Sequence, residues 1–86
     1  MNLLTACRKF GELSSDKQII YNDLGILRVD DNGRTASLIV SGEREGMNAG
    51  EIVSELQSLP DYYNVEIAYC GGGDELEKIY DDGRIA

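Results

Sequence analysis

Apolar residues return along this chain at two different periods, and the switches between them mark its elements. Over residues 2–13, Leu3, Ala6, Cys7, Phe10 and Leu13 recur at helical spacing with Arg8, Lys9 and Glu12 between them. That predicts an amphipathic helix with one core-facing stripe. Ser15-Asp16-Lys17-Gln18 then has the form of a capping box, and Gly25 suits the residue after a helix C-terminus, so a second short helix is predicted over 16–24. The alternative is a strand through Gln18–Tyr21, because Ile-Ile-Tyr favours extended backbone.

The next pattern is a hairpin. Ile26–Asp30 and Thr35–Ser41 flank Asp31-Asn32-Gly33-Arg34, and Asn-Gly tolerates the positive φ angles that a two-residue hairpin turn demands. Centring the turn on Asn32-Gly33 opposes Asp31 with Arg34, Val29 with Ala36, Leu27 with Leu38 and Ile26 with Ile39. Residues 41–47 are a polar loop. Asn48 then suits the N-cap of a helix running to Leu59, with Ile52, Val53, Leu56 and Leu59 as its stripe and Pro60 as its stop. Val65, Ile67 and Tyr69 alternate with Glu66, Ala68 and Cys70 as a strand. Gly71-Gly72-Gly73-Asp74 is read as the turn, Leu76–Tyr80 as the returning strand and Asp81-Asp82-Gly83-Arg84 as a last turn. The order is α(α)ββ–αββ, which predicts an α+β fold: an antiparallel sheet of two hairpins with helices packed on one face. At 86 residues the chain is expected to form a single domain, 1–86.

Composition narrows the chemistry. Histidine and tryptophan are absent and there are two cysteines. Histidine-based acid–base catalysis, Ser-His-Asp and Cys-His nucleophiles, and histidine or multi-cysteine zinc sites are therefore excluded. Sixteen acids against eight bases leave a net charge of −8. In residues 1–42 five acids balance five bases, whereas residues 43–86 hold eleven acids and three bases, so the whole surplus lies in the second half. Such a chain repels nucleic-acid backbones and anionic membranes and attracts basic protein surfaces. The alternative reading is acidity that serves solubility alone.

Leu4-Thr5-Ala6-Cys7 imitates a lipoprotein cleavage box, but only three residues precede it, too few for a signal peptide's basic and apolar regions. A cytoplasmic location, with Cys7 and Cys70 reduced, is the expectation. The three-glycine run lacks the Lys and Ser/Thr of a phosphate loop and is followed by Asp74-Glu75. Neither Asp30-Asp31-Asn32-Gly33 nor Asp81-Asp82-Gly83 carries acids at the loop positions of an EF-hand. No carboxylate pair stands out for hydrolysis, and nothing beside Cys70 marks it as a reactive thiol. No enzymatic activity, cofactor or metal is expected. Tyr62-Tyr63 follows Pro60 as two adjacent aromatics that cannot both face one core, and tyrosine is a favoured interface anchor.

The run Asn48-Ala49-Gly50-Glu51-Ile52-Val53-Ser54-Glu55-Leu56-Gln57-Ser58-Leu59-Pro60, followed by Val65-Glu66-Ile67, resembles an element of small phage and prophage proteins, in which a short helix ends in Leu-Pro before a strand and a glycine-linked hairpin. In size and acidity the chain is also similar to anti-CRISPR and other anti-defence inhibitors. The resemblance implies a phage-encoded protein acting in the host cytoplasm. The leading expectation is a non-enzymatic inhibitor that docks an acidic, DNA-mimicking face on a basic host protein, either nucleic-acid-binding or part of a nuclease complex. Its contact residues would be Glu51, Glu55, Asp61, Tyr62, Tyr63, Asp74, Glu75 and Glu77, in a monomer or homodimer that itself binds neither nucleic acid nor membrane. One alternative is a small homo-oligomeric structural or regulatory phage protein that pairs through a terminal edge strand ending at Ala86. Another is a nucleotide-binding sponge whose Arg8, Lys9, Lys17 or Arg28 converge at a dimer cleft.

Overall fold

A computed structural model describes residues 1–86. Helix α1 spans Leu3–Gly11, strand β1 Ile20–Tyr21, β2 Leu24–Asp31, β3 Thr35–Val40, helix α2 Ala49–Gln57, β4 Asn64–Tyr69 and β5 Gly72–Glu75. The content is mixed α+β, with two helices and one curled five-stranded sheet in the order β1-β2-β3-β4-β5. Both helices start where polar side chains satisfy their free N–H groups. Asn2 accepts from the Thr5 N–H, and Asn48 and Glu51 close a reciprocal capping box on α2.

The core forms where the helical stripes meet alternate residues of the strands. Leu3, Ala6 and Phe10 from α1 and Ala49, Ile52 and Leu56 from α2 join Ala36, Leu38, Val65 and Ile67 in one buried cluster. The intervening residues of β3 and β4, Ser37 and Glu66, point to the other face, because successive side chains of a strand alternate. There the Asn32 amide donates to Ser37 Oγ at 2.6 Å and the Ser37 hydroxyl donates to Glu66 Oε1 at 2.9 Å, which satisfies the one buried polar side chain.

Several expectations are corrected. Residues 16–24 form no helix: Ile20–Tyr21 is β1, paired with β2 across Asn22 and Asp23, whose φ angles are +48° and +66°. Two consecutive left-handed residues end a helix but suit a tight hairpin. The Ser15–Gln18 capping box does not form either, since Gln18 Oε1 accepts from the Gly46 N–H.

The β2–β3 turn centres on Gly33-Arg34, one residue beyond the expected position, so Val29 opposes Leu38 and Asp31 opposes Ala36. Asp31 Oδ1 accepts the Gly33 N–H at 2.9 Å, which holds Gly33 at φ +88° and sets that centre. Shifting the centre by one residue leaves every side chain on its face. A bulge at Leu27 then places Leu27 and Arg28 both opposite Ile39, turning Leu27 to solvent and Ile26 into the core beside Val40.

The sheet is not wholly antiparallel: β3 and β4 run parallel, Leu38 beside Ile67. The chain leaves the end of β3, crosses through α2 and re-enters at the start of β3, which is a β–α–β connection.

The returning strand is Gly72–Glu75, not Leu76–Tyr80, and the glycines lie in it. Gly71, at φ +89°, makes the turn alone with Cys70. The final turn does occur at residues 81–84, with Gly83 at φ +91° and Ile79 bridged to Ile85. The segment ending at Ala86 is no free edge, because the Ile85 N–H donates to Ile20 O and the Ala86 N–H to Lys78 O. It extends the pairing beyond β1, and the curl brings Tyr21 of β1 onto Tyr69 of β4. No helix is long and apolar enough to cross a membrane.

Candidate protein-docking surface

The sheet register draws acids from three strands into one row. On the face away from the helices, Asp30, Ser37, Glu66 and Glu75 lie side by side across β2, β3, β4 and β5. Cross-strand neighbours in such a row have Cβ atoms about 5 Å apart, so its carboxylates repel unless something cationic lies among them. Arg28 Nε meets Asp30 at 2.7 Å, and the Met1 ammonium lies 3.2 Å from Glu75. The Asn64 amide and the Met1 ammonium together hold the Glu75 carboxyl below its usual range. A third ion pair joins Arg84 to Asp82 at 2.8 Å. These are the only ion pairs, so thirteen of the sixteen acids have none. The negative charge is left at the surface.

The expected contact residues fall in three places. Glu51 and Glu55 are exposed on α2, although Glu51 is also engaged in the capping box. Asp61 and Tyr62 are exposed in the connection to β4, Tyr62 being 72% accessible. Asp74, Glu75 and Glu77 are exposed on β5 and just after it. Tyr63 is corrected: it is only 5% accessible and belongs to the core. Its hydroxyl donates to Asp31 Oδ1 at 2.7 Å, which lowers the Asp31 pKa and pushes that of Tyr63 up to about 12. The two rings meet edge to face, 5.3 Å apart, so one tyrosine packs inward and supports the other.

The structure also assembles surfaces that the sequence pattern did not reveal. Tyr21, Asn22, Leu24, Val40 and Tyr69 line a hollow of about 340 Å³. It adjoins, through Tyr21 and Asn22, a second hollow of about 350 Å³ bordered by Asp74, Glu75 and Glu77. The Tyr21 and Tyr69 rings stack with centroids 5.9 Å apart and an interplanar angle of 13°. The Tyr69 hydroxyl donates to Asp74 Oδ2 at 2.8 Å, and that bond raises the Tyr69 pKa. The only sequence signal for this groove was an aromatic at the end of each of two strands far apart in the chain.

A cleft of about 470 Å³, which shares Asn22, Ile85 and Ala86 with the second hollow, brings Arg44 and Arg84 together, with Arg84 over the Tyr80 ring at 4.9 Å. Arg8, Lys9, Lys17 and Arg28, the cations a nucleotide sponge would need, do not meet: no hollow holds two of them. No group of three or more Cys, Asp or Glu is placed to hold a metal ion. Cys7 is half-buried, and burial and the nearby Asp61 push its thiol pKa up, the reverse of what a nucleophile needs. Comparison of the chain with family models, with curated proteins and with solved structures finds no match.

Proposed function

We propose that this chain is a non-enzymatic protein-binding module that docks its acidic surface on a basic, nucleic-acid-binding face of another protein and blocks that face. The observation that carries the reading is the charge left over inside the fold: three ion pairs against sixteen acids. Exposed carboxylates without counter-charges repel one another, and a partner that brings lysines and arginines relieves the repulsion while steering encounter. On the open sheet face Glu66 and Glu75 are neighbours across β4 and β5, Ser37 separates them from Asp30, and of these three acids only Glu66 has no ion pair. A protein that recognises a phosphate backbone presents lysines and arginines, and the thirteen acids without an ion pair are what supports a DNA-mimicking mode. The likeness of residues 48–67 to small phage proteins makes a host or defence nuclease complex the class of partner to test first.

The experiment is capture on the immobilised chain at low salt, followed by salt titration of the captured protein and competition with its nucleic acid. Affinity is expected to fall steeply as salt rises from about 50 to about 500 mM, with nucleic acid displacing the chain. A flat salt response, or simultaneous binding of chain and nucleic acid, overturns the reading. Self-association through the segment ending at Ala86 loses its motivating observation, because both sides of that segment are already hydrogen-bonded. The remaining unpaired edge, β5, is four residues long and carries Asp74 and Glu75, a charged edge that resists pairing with its own copy.

A further inference from the structure

We infer that the joined hollows between Tyr21, Tyr69 and the acids of β5 form a receptor groove for an arginine side chain presented by a basic segment of the partner protein. This rests on the docking reading and adds to it a specific place of contact.

An arginine side chain has three parts, and each finds a chemical match in the groove. Its methylene stem needs an apolar wall, supplied by Leu24 and Val40. The flat guanidinium prefers to lie on an aromatic face, and the Tyr21–Tyr69 stack provides one. Its N–H groups then need acceptors that match their charge. Asp74, Glu75 and Glu77 border the adjoining hollow, and the hydrogen bond from the Tyr69 hydroxyl uses one oxygen of Asp74 and leaves the other to accept. Donation by that hydroxyl to a carboxylate also enriches the ring in electrons, which strengthens its attraction for a cation. No arginine or lysine of the chain lines either hollow; the Met1 ammonium and the Asn64 amide already engage Glu75, so Asp74 and Glu77 are the acceptors left for the guanidinium.

Folding builds this arrangement rather than scattered exposure. Tyr69 is 39% accessible, yet its ring is held over Gly72 of the paired strand, where an added Cβ would lie 3.5 Å from the ring. A Cβ at that distance would make only an ordinary contact, so the ring is positioned by its bond to Asp74 and its stack on Tyr21. Tyr21 is brought to it by the Asn22-Asp23 turn and the curl of the sheet. The groove straddles two elements far apart in the chain, β1 and β4.

The test uses the full chain, isotopically labelled, and an arginine–glycine repeat peptide as probe. A peptide with citrulline replacing each arginine keeps the shape without the charge. The arginine peptide is expected to shift the resonances of Tyr21, Leu24, Val40 and Tyr69 most, and the citrulline peptide to leave them unmoved. Two charge-matched variants separate the groove from general acidity. Asp74→Asn with Glu77→Gln should weaken binding about tenfold, the loss of a charged hydrogen bond to the guanidinium. Glu55→Gln with Asp61→Asn, on the α2 side, should weaken it no more than about twofold. Equal weakening by the two variants, or shifts centred outside the groove, overturns the groove and leaves acidic docking standing. Equal binding of the citrulline peptide, or concentration-dependent shifts at these residues without peptide, also overturns it, the latter because a second copy would be the occupant. Absence of any salt-sensitive binding to the arginine peptide overturns the groove and removes the electrostatic basis of the docking reading with it.

Discussion

The two antiparallel hairpins of the sheet are built on different principles. In β2–β3, of eight and six residues, Val29, Ala36 and Leu38 face the core and the turn is tied by Asp31. In β4–β5 only the first strand contributes to the core, through Val65 and Ile67, while all four residues of β5 are exposed. The first hairpin is held by side chains, and backbone pairing simply follows. The second is held on its outer side by backbone hydrogen bonds and the side-chain bonds Tyr69–Asp74 and Asn64–Glu75, with no apolar side chain from β5. A strand that contributes nothing to the core is free to carry acids, and β5 carries Asp74 and Glu75 at the edge of the sheet. Structure and surface chemistry are thus divided between the hairpins, in line with the neutral and acidic halves of the chain.

The largest effect that would test this division is in the first hairpin. Leu38→Ala empties a fully buried site and should cost about 2–5 kcal/mol in urea denaturation. A loss below about 1 kcal/mol would mean that β3 is not part of a packed core. Gly33→Ala forces a side chain into φ +88° and should cost about 1 kcal/mol or more. Gly71→Ala imposes the same strain at φ +89°, but its effect should appear first as faster hydrogen exchange of the β5 amides, because that hairpin opens locally. Uniform acceleration across both hairpins would show that they unfold as one unit.

The Tyr63–Asp31 bond ties the first hairpin to the entry of β4, and it sharpens the comparison through pH. Asp31 has a folded pKa below its usual 3.8, so its stabilisation is present above that value and is lost as pH falls through the folded pKa. Tyr63 has the opposite sign: its pKa rises from 10.0 to about 12, so its share is intact below pH 10 and disappears as pH approaches 12. Wild type should therefore exceed Tyr63→Phe in denaturation midpoint at neutral pH, with the gap closing at both extremes. A gap that stays constant with pH would show that the hydroxyl makes no bond to the carboxylate. The smallest effect is expected at Gly72→Ser, within about 0.5 kcal/mol, since a Cβ there makes an ordinary contact with the Tyr69 ring at 3.5 Å.

The elements legible in the sequence are those with an apolar period and a stop signal. Residues 3–11, with their Leu3, Ala6 and Phe10 stripe, and residues 49–57, bounded by Asn48 and Pro60, fold as that pattern predicts. The strands around Asn32-Gly33 also follow it, apart from the turn centre and the bulge at Leu27. Misread elements had either a competing local signal or none. Ser15–Gln18 offered a capping pattern, but Gln18 found Gly46 in the folded chain, and β5 has no apolar residue to give it a period. The candidate site was less legible. Acidity of the second half is countable, and Tyr62 lies exposed as adjacent aromatics suggest, but Tyr63 is a core residue and no local pattern joins Tyr21 to Tyr69.

By itself, then, the sequence determined two amphipathic helices, the first hairpin and a charge excess confined to residues 43–86, because each depends on neighbours close along the chain. Only the tertiary structure decided that β3 and β4 run parallel, that a glycine-rich acidic segment becomes an edge strand, and that Tyr21 meets Tyr69. Those outcomes depend on where α2 returns the chain and on how far the sheet curls. Both are set by burial of a shared core between distant residues, which no local pattern encodes.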